Sequence, residues 1–453
     1  MKRLLLLLLI AGPLYAQATR IEVDHTRFTL PNGLTVILHE DHTTPTAAVN
    51  IWYHVGSARE KPGRTGFAHL FEHIMFEGSL HVPEGMFDTW LESVGGDNNA
   101  STAEDRTNYF LTVPSNALEL PLFLESDRMG FLVPAMSPQK VDGQRDVVKN
   151  ERRQGLENQP YGMVEVIMSE SMYPAEHPYH WPVIGYMEDL TAASYDDVVE
   201  FFKKYYSTRN ASLCIAGAID PVATKGLVEK WFSDVPGGPP VPPMTPAFAS
   251  LDGERRLLYQ DNVQLPRLYM SWHTPAVLRP GDAEMDILAS LLTQGRNSRL
   301  YKRLVYDLQI AQSVMAYQAS MELGSTFTIV ATARAGHTLA ELEKVIQEEL
   351  NRLKSESPAR RELERAVNQY ETQYLSGLES IGQKSDLLNA YYVRTGNPDY
   401  FNEDLSRYRA LDPGDIRAAV TTYLRDDARL VLSVVPKGKT DLASGQGKEV
   451  FPK

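Results

Sequence analysis

The stretch GFAHLFEHIMFEG, residues 66–78, sets two imidazoles and a carboxyl inside an otherwise apolar run. His69 and His73 are four residues apart. On an α-helix that spacing is about 40° of rotation and about one turn of rise, so both rings can reach one ion. Glu72 falls about 60° to the other side of His69, within the same sector. Neutral imidazole is a good ligand for Zn²⁺, and a catalytic zinc site takes three protein ligands plus a water. A carboxylate beside it can accept that water's proton. The order is HxxEH, the reverse of HExxH. The competing reading is a core helix with a few satisfied polar groups. Two features favour the ion. The neighbours Phe67, Leu70, Phe71, Ile74, Met75 and Phe76 are apolar, and burying Glu72 unpaired among them would cost several kcal/mol that a cation relieves. A third acid is also available, since VVKNERRQGLENQPYG places Glu151 in a predicted helix.

Residues 66–77 must then be helical, and strands must hold them. LTVILHED, TAAVNIWYHVGS and TNYFLTVP are rich in β-branched and aromatic residues and read as strands, while SNALELPLFLESDRMGFL reads as a helix despite its proline. Strands and helices alternate without the regular rhythm of a doubly wound sheet, so the fold class is α+β. PGGPPVPPMTP, residues 236–246, reads as a stiff, extended linker near the midpoint. The flanking halves resemble each other. Tyr206, Ala211 and Leu213 match Tyr423, Ala428 and Leu430 at one offset, and Trp52 and Trp272 form a looser pair. The expected organisation is a signal peptide over 1–18, an N-terminal domain over 19–235, a Pro/Gly-rich linker over 236–249 and a homologous C-terminal domain without the histidine motif over 250–453. In that second half, TLAELEKVIQEELNRLKSE and ARRELERAVNQYETQYL read as solvated helices.

Composition narrows the function classes. With 453 residues, 43% hydrophobic, the chain can build sizeable cores, and a formal charge of -13 gives a nucleic-acid role no support. The opening MKRLLLLLLIAGPLYAQA has a basic start, a short apolar run and small residues at Ala16 and Ala18, the pattern of a cleaved export signal, with an uncleaved anchor as the alternative. Export to the periplasm or exterior is therefore expected. The single cysteine, Cys214, cannot form an internal disulfide and reads as a buried small hydrophobe. His54, His81, His177, His180 and His273 read as structural or exposed.

YHVGSARE, GFAHLFEHIMFEGS, GGDNNASTAEDRTNYFLTVP, KNERRQGLENQPYG, GRNSRLYKRL and ARLVLSVVP together resemble the pitrilysin/insulinase family of zinc peptidases, in the branch related to mitochondrial processing peptidase. The resemblance implies two homologous domains, each a mainly antiparallel sheet packed with helices. It also implies Zn²⁺ held by His69, His73 and Glu151, with Glu72 as the base; the resemblance, rather than spacing, selects Glu151, with nearby Glu157 as the reserve choice. Asn99 and Ala100 match an edge strand that pairs with the substrate backbone, a form of β-augmentation; their plain reading is a turn before a strand. Two positions depart from the family pattern. Gln144 stands where relatives often carry an acid seven residues before the third ligand, which implies tuning of the metal rather than its loss. The arginine and tyrosine that self-contained relatives use in the second half fall at Val305 and Gln312, and Val305 has no donor with which to steady an oxyanion. Arg299 and Tyr306 are out of register. The expectation is a zinc endopeptidase of extended peptides, complete only with a homologous partner that lacks zinc and supplies the Arg/Tyr pair. Alternatives are a self-sufficient homodimeric peptidase and a non-catalytic assembly subunit.

Overall fold

The structure, a computed structural model, describes residues 20–245 and 249–452. The expected signal segment lies outside the described residues. Two six-stranded sheets dominate, one in each half. The first is built from β1 (Thr26–Thr29), β2 (Thr35–Glu40), β3 (Thr46–Tyr53), β4 (Asp97–Thr102), β5 (Thr107–Pro114) and β6 (Ala211–Gly217), in the order β1-β2-β6-β3-β5-β4. The second is built from β7 (Arg255–Asp261), β8 (Arg267–Thr274), β9 (Ala311–Ala319), β10 (Ser325–Ala333), β11 (Leu430–Pro436) and β12 (Lys448–Glu449), in the order β12-β7-β11-β8-β10-β9.

The two orders correspond over five strands, β2-β6-β3-β5-β4 and β7-β11-β8-β10-β9, while the outermost strands differ: β1 pairs antiparallel with β2, and β12 parallel with β7. In each half the late strand (β6 or β11) inserts between the first two of the shared strands. It pairs parallel with one, β2 or β7, and antiparallel with the other, β3 or β8. Tyr206 and Tyr423 both close helices that lead into these late strands, and Trp52 and Trp272 lie on the equivalent β3 and β8. The duplication expected from those matches is thus a duplication of topology. Between the halves, residues 236–245 carry no helix or strand.

Both sheets are covered on both faces, which is why β2 and β6 are buried almost throughout. On β2, Val36 and Leu38 enter the core of the first half, whereas Ile37 joins Cys214 on the other face. That second face is covered by the helix Ile381–Thr395, which contributes Leu388 and Tyr391 from the far half of the chain. The exchange is reciprocal. The helix Val164–Met172 of the first half lays Val164 and Ile167 on Tyr269, Val330, Leu432 and Val434 of the second sheet. Val164 and Ile381 are 217 positions apart, the separation that also relates Tyr206 to Tyr423. Each half therefore completes the other.

Polar groups fix this docking. Asp386 Oδ1 accepts from Asn50 Nδ2 (3.1 Å), Trp52 Nε1 (2.8 Å) and Asn108 Nδ2 (3.2 Å), and Asn389 Nδ2 donates to the Asn50 carbonyl at 2.9 Å. Cys214 is buried in this interface as expected. Two consequences follow from the exchange. The protein should melt in one cooperative calorimetric transition, and Asp386→Ala, which strands three donors, should lower stability by about 1–3 kcal/mol without splitting that transition. Separate transitions for the two halves would contradict the interlocked arrangement.

Candidate metal centre

The motif helix runs from Phe67 to Ile74, shorter at its end than the 66–77 span read from sequence. Its buried face, Phe67, Ala68, Leu70, Phe71 and Ile74, packs in the first core beside Phe201, Phe202 and Tyr206. That leaves His69, Glu72 and His73 on the half-buried face. The helix N-terminus has no side-chain cap of its own. Glu60, 7% exposed, accepts instead from the N–H of Gly66 (2.9 Å) and of Ala68 (2.8 Å), satisfying N–H groups that a helix start leaves orphaned. Gly66 has φ of 85°, and a Cβ there would sit 2.7 Å from the Ile184 carbonyl oxygen and 3.0 Å from Gly185 Cα. Only glycine satisfies both conditions.

Gly185 connects this helix to the next. Its carbonyl accepts from Nη1 of the fully buried Arg152 at 2.7 Å. Arg152 closes the helix Pro138–Arg152, which starts at the Ser137 cap and carries Glu151 in its last turn. A five-residue π-helical segment, Arg153–Glu157, follows at once, a backbone irregularity common at functional sites. Glu157 turns back to Arg152 Nε at 3.2 Å. Of the two acids weighed from sequence, Glu157 therefore serves this turn, and Glu151 faces the histidines.

The donors converge. His73 Nε2 lies 3.2 Å and His69 Nε2 3.7 Å from Glu151 Oε2. All three donor atoms fall within 4.8 Å of one another, and no other such group of His, Cys, Asp or Glu exists among the described residues. Tetrahedral Zn²⁺ with bonds of about 2.0–2.1 Å needs ligand atoms about 3.3 Å apart, so the set fits such an ion. Burial, then the neighbouring His73, pushes the His69 imidazole down to about 4, which keeps it in the neutral, ligating form at neutral pH. Burial raises the Glu72 carboxyl, partly offset by a hydrogen bond from Thr102 Oγ1 at 2.6 Å.

Other predicted positions are also placed. Asn99 and Ala100 lie in β4, an edge strand that among the described residues pairs with β5 alone, rather than in a turn. The Ala100 N–H donates to Asn99 Oδ1 at 2.8 Å. Gln144 donates to Glu77 Oε1 at 2.6 Å, on the residue four beyond His73. Val305 is half-buried against the second core, and Gln312 is exposed on edge strand β9. Arg299 is committed to Glu362 by two bonds of 2.7 and 2.8 Å, consistent with a structural role. Of the other histidines, His81 is held by Asp127, while His180 and His273 bond backbone carbonyls. Glu60, Thr102 and Arg152 were not singled out in the sequence, because their partners are distant in the chain or lie on other elements. Glu60→Ala, which leaves two buried N–H groups unmet, should cost about 2–4 kcal/mol in a urea titration, more than an exposed Glu→Ala change.

Two family models match the chain. Residues 35–177, which contain every candidate ligand, match the one described as "Insulinase (Peptidase family M16)", and residues 192–370 match "Peptidase M16 inactive domain". A relative from Helicobacter pylori, named zinc protease PqqE, is 28% identical over 91% of this chain and 93% of its own length. A probable mitochondrial-processing peptidase subunit beta from Arabidopsis thaliana is 21% identical over 90% of this chain and 78% of its own. The crystal structure of a protease from Helicobacter pylori superimposes with a TM-score of 0.86 and 27% identity, covering 92% of this chain and all of that one. With M16 models matching both halves and relatives aligned over nearly its whole length, the chain belongs to the insulinase family of peptidases, M16.

Proposed function

We propose that this protein is a zinc-dependent endopeptidase that cleaves extended or unfolded peptide segments. The observation that carries the reading is the convergence of His69 Nε2 and His73 Nε2 on Glu151 Oε2, with Glu72 on the same helix face. His69, His73 and Glu151 would hold the zinc, in agreement with the names of relatives such as zinc protease PqqE. When bound, the ion supplies Lewis acidity, polarising a scissile carbonyl and acidifying a water. Glu72 takes the proton of the attacking water and returns it to the leaving amine. Its environment suits that role, because burial lifts its carboxyl above the usual range and brings it nearer to operating pH. The open side of β4 receives the peptide as an added strand, with Asn99 and Ala100 at its centre. Admitting it requires the Asn99 side chain to release the Ala100 N–H.

A homologous partner subunit completes the site in this proposal. Val305 and Gln312 replace the Arg/Tyr pair, and Arg299 is spent on Glu362. The resemblance to a relative named as a subunit of mitochondrial-processing peptidase favours a two-chain enzyme over the homodimeric alternative. The presence of the complete ligand set speaks against a purely structural subunit. The basic start, short apolar run and small residues of positions 1–18 support export to the periplasm or the exterior.

Glu72→Gln should keep about one zinc per chain and lose roughly 10²–10⁴-fold in peptide cleavage. Glu151→Ala should lose the metal by elemental analysis, whereas Glu157→Ala should retain it. A Glu72→Gln enzyme with full activity would remove the proposed base. For the partner, the purified chain should cleave a fluorogenic unstructured peptide at least about tenfold faster when mixed with a homologue that lacks the histidines and holds the Arg/Tyr pair. Full activity alone, unchanged by the homologue, would refute the division of labour.

A further inference from the structure

We propose that Thr102 is a positioning residue for Glu72, tying the base to the strand on which the peptide docks; this rests on the zinc-peptidase reading above. Thr102 is the last residue of β4. Successive side chains along a strand alternate faces, so Thr102 shares its face with Asn98 and Ala100, and Ala100 packs on the core that holds the motif helix. From that face Thr102 Oγ1 donates to Glu72 Oε2 at 2.6 Å, the length of a charge-assisted O–H···O⁻ bond. Among the described residues no other side chain donates a hydrogen bond to Glu72. A glutamate on a helix face has three side-chain torsions to settle, and a site loose by an ångström loses much of its rate. The Thr102 bond settles them, occupying Oε2 and leaving Oε1 for the water proton.

The hydroxyl can do this because its own strand end is pinned. Arg106 Nη1 grips the Ser101 carbonyl (2.8 Å) and Oγ (2.6 Å), the Ala103 N–H donates to the Arg106 carbonyl at 2.9 Å, and Ser101 Oγ donates to Asn108 Oδ1 at 2.7 Å. The Arg106 guanidinium rests over Trp52, 5.5 Å from the ring centroid. Asn108 and Trp52 both donate to Asp386 on the helix of the far half. The path from Glu72 thus runs through Thr102 into the junction of the two halves. A peptide that pairs with β4 adds hydrogen bonds two residues from the hydroxyl that orients the base.

The test compares Thr102→Val, which keeps the shape and β-branching but removes the donor, with Thr102→Ser, which restores a hydroxyl. Thr102→Ala makes the same deletion should the valine variant not fold. Zinc content, crystal structures of the variants, and kcat and KM on a fluorogenic unstructured peptide are measured, in whichever assembly of the wild-type chain cleaves it. The expected result is about one zinc per chain in all, and Glu72 displaced or in two conformers in the valine variant. That variant should lose roughly 10–100-fold in kcat with KM within about threefold, and serine should recover both the rate and the Glu72 orientation. Glu72 unmoved with kcat unchanged in the valine variant would overturn the proposal, as would a loss confined to KM or a serine variant as slow as valine. Glu72→Gln run alongside separates the two levels. If it stays active, the base assignment itself fails and the positioning role falls with it. If it is inactive while Thr102→Val runs at full rate, only the positioning role fails.

Discussion

The site depends on one constraint: two imidazoles from one helix and a carboxylate from another must meet within the span of a single ion. Neither helix can deliver that alone. The motif helix is short, so its orientation is governed by how its first turn is held, and that turn is held from outside by the buried Glu60 carboxyl group. The close contact of Gly66 with Gly185, and the grip of Arg152 on the Gly185 carbonyl, set the start of one helix against the end of the other. Because Glu151 immediately precedes Arg152, the residue that locks the two helices together also carries the acid into place. Replacement of either glycine by a larger residue would press on this joint rather than on the ligands themselves.

The second organising feature is the reciprocal exchange of helices between the halves. A sheet with one face open would expose the apolar side chains of β2, β6, β8 and β11 to water. Each half solves this with a helix from the other. The consequence for function is geometric. The helix that covers the first sheet carries Asp386, and Asp386 holds Asn50 and Trp52 on β3 and Asn108 on β5, the neighbour of β4. The second half has no histidine motif, yet it braces the strand that borders the candidate centre.

The duplication also shows how one topology supports two roles. β4 and β9 occupy equivalent edges of their sheets. In the first half the edge lies beside Glu72, through Thr102. In the second half the edge carries Gln312 and the exposed Met315 and Tyr317, with no acid–histidine set behind it among the described residues. Topology was kept while the chemistry diverged, as expected when function resides in a few side chains grafted on a fold.

Much of this was legible in the sequence for a definite reason. Helical period brings His69, Glu72 and His73 to one side, and that period is a property of the backbone. β-branched and aromatic runs marked β2, β3 and β5, and repeated residues such as Tyr206 and Tyr423 pointed to the duplication. Asn99 and Ala100 show where local reading falls short: GGDNNAST has turn-like composition, but pairing with β5 makes residues 97–102 a strand. What only the tertiary structure decided were the contacts between residues distant in the chain. Glu151 faces the histidines while Glu157 pairs with Arg152, a choice that resemblance indicated but spacing could not make. Glu60 caps a helix it does not belong to, Thr102 reaches Glu72 across 30 positions, and Asp386 binds residues more than 270 positions away. Local sequence determines periodicity and propensity. Which carboxylate meets which donor depends on how separate elements pack, and no short-range pattern encodes that.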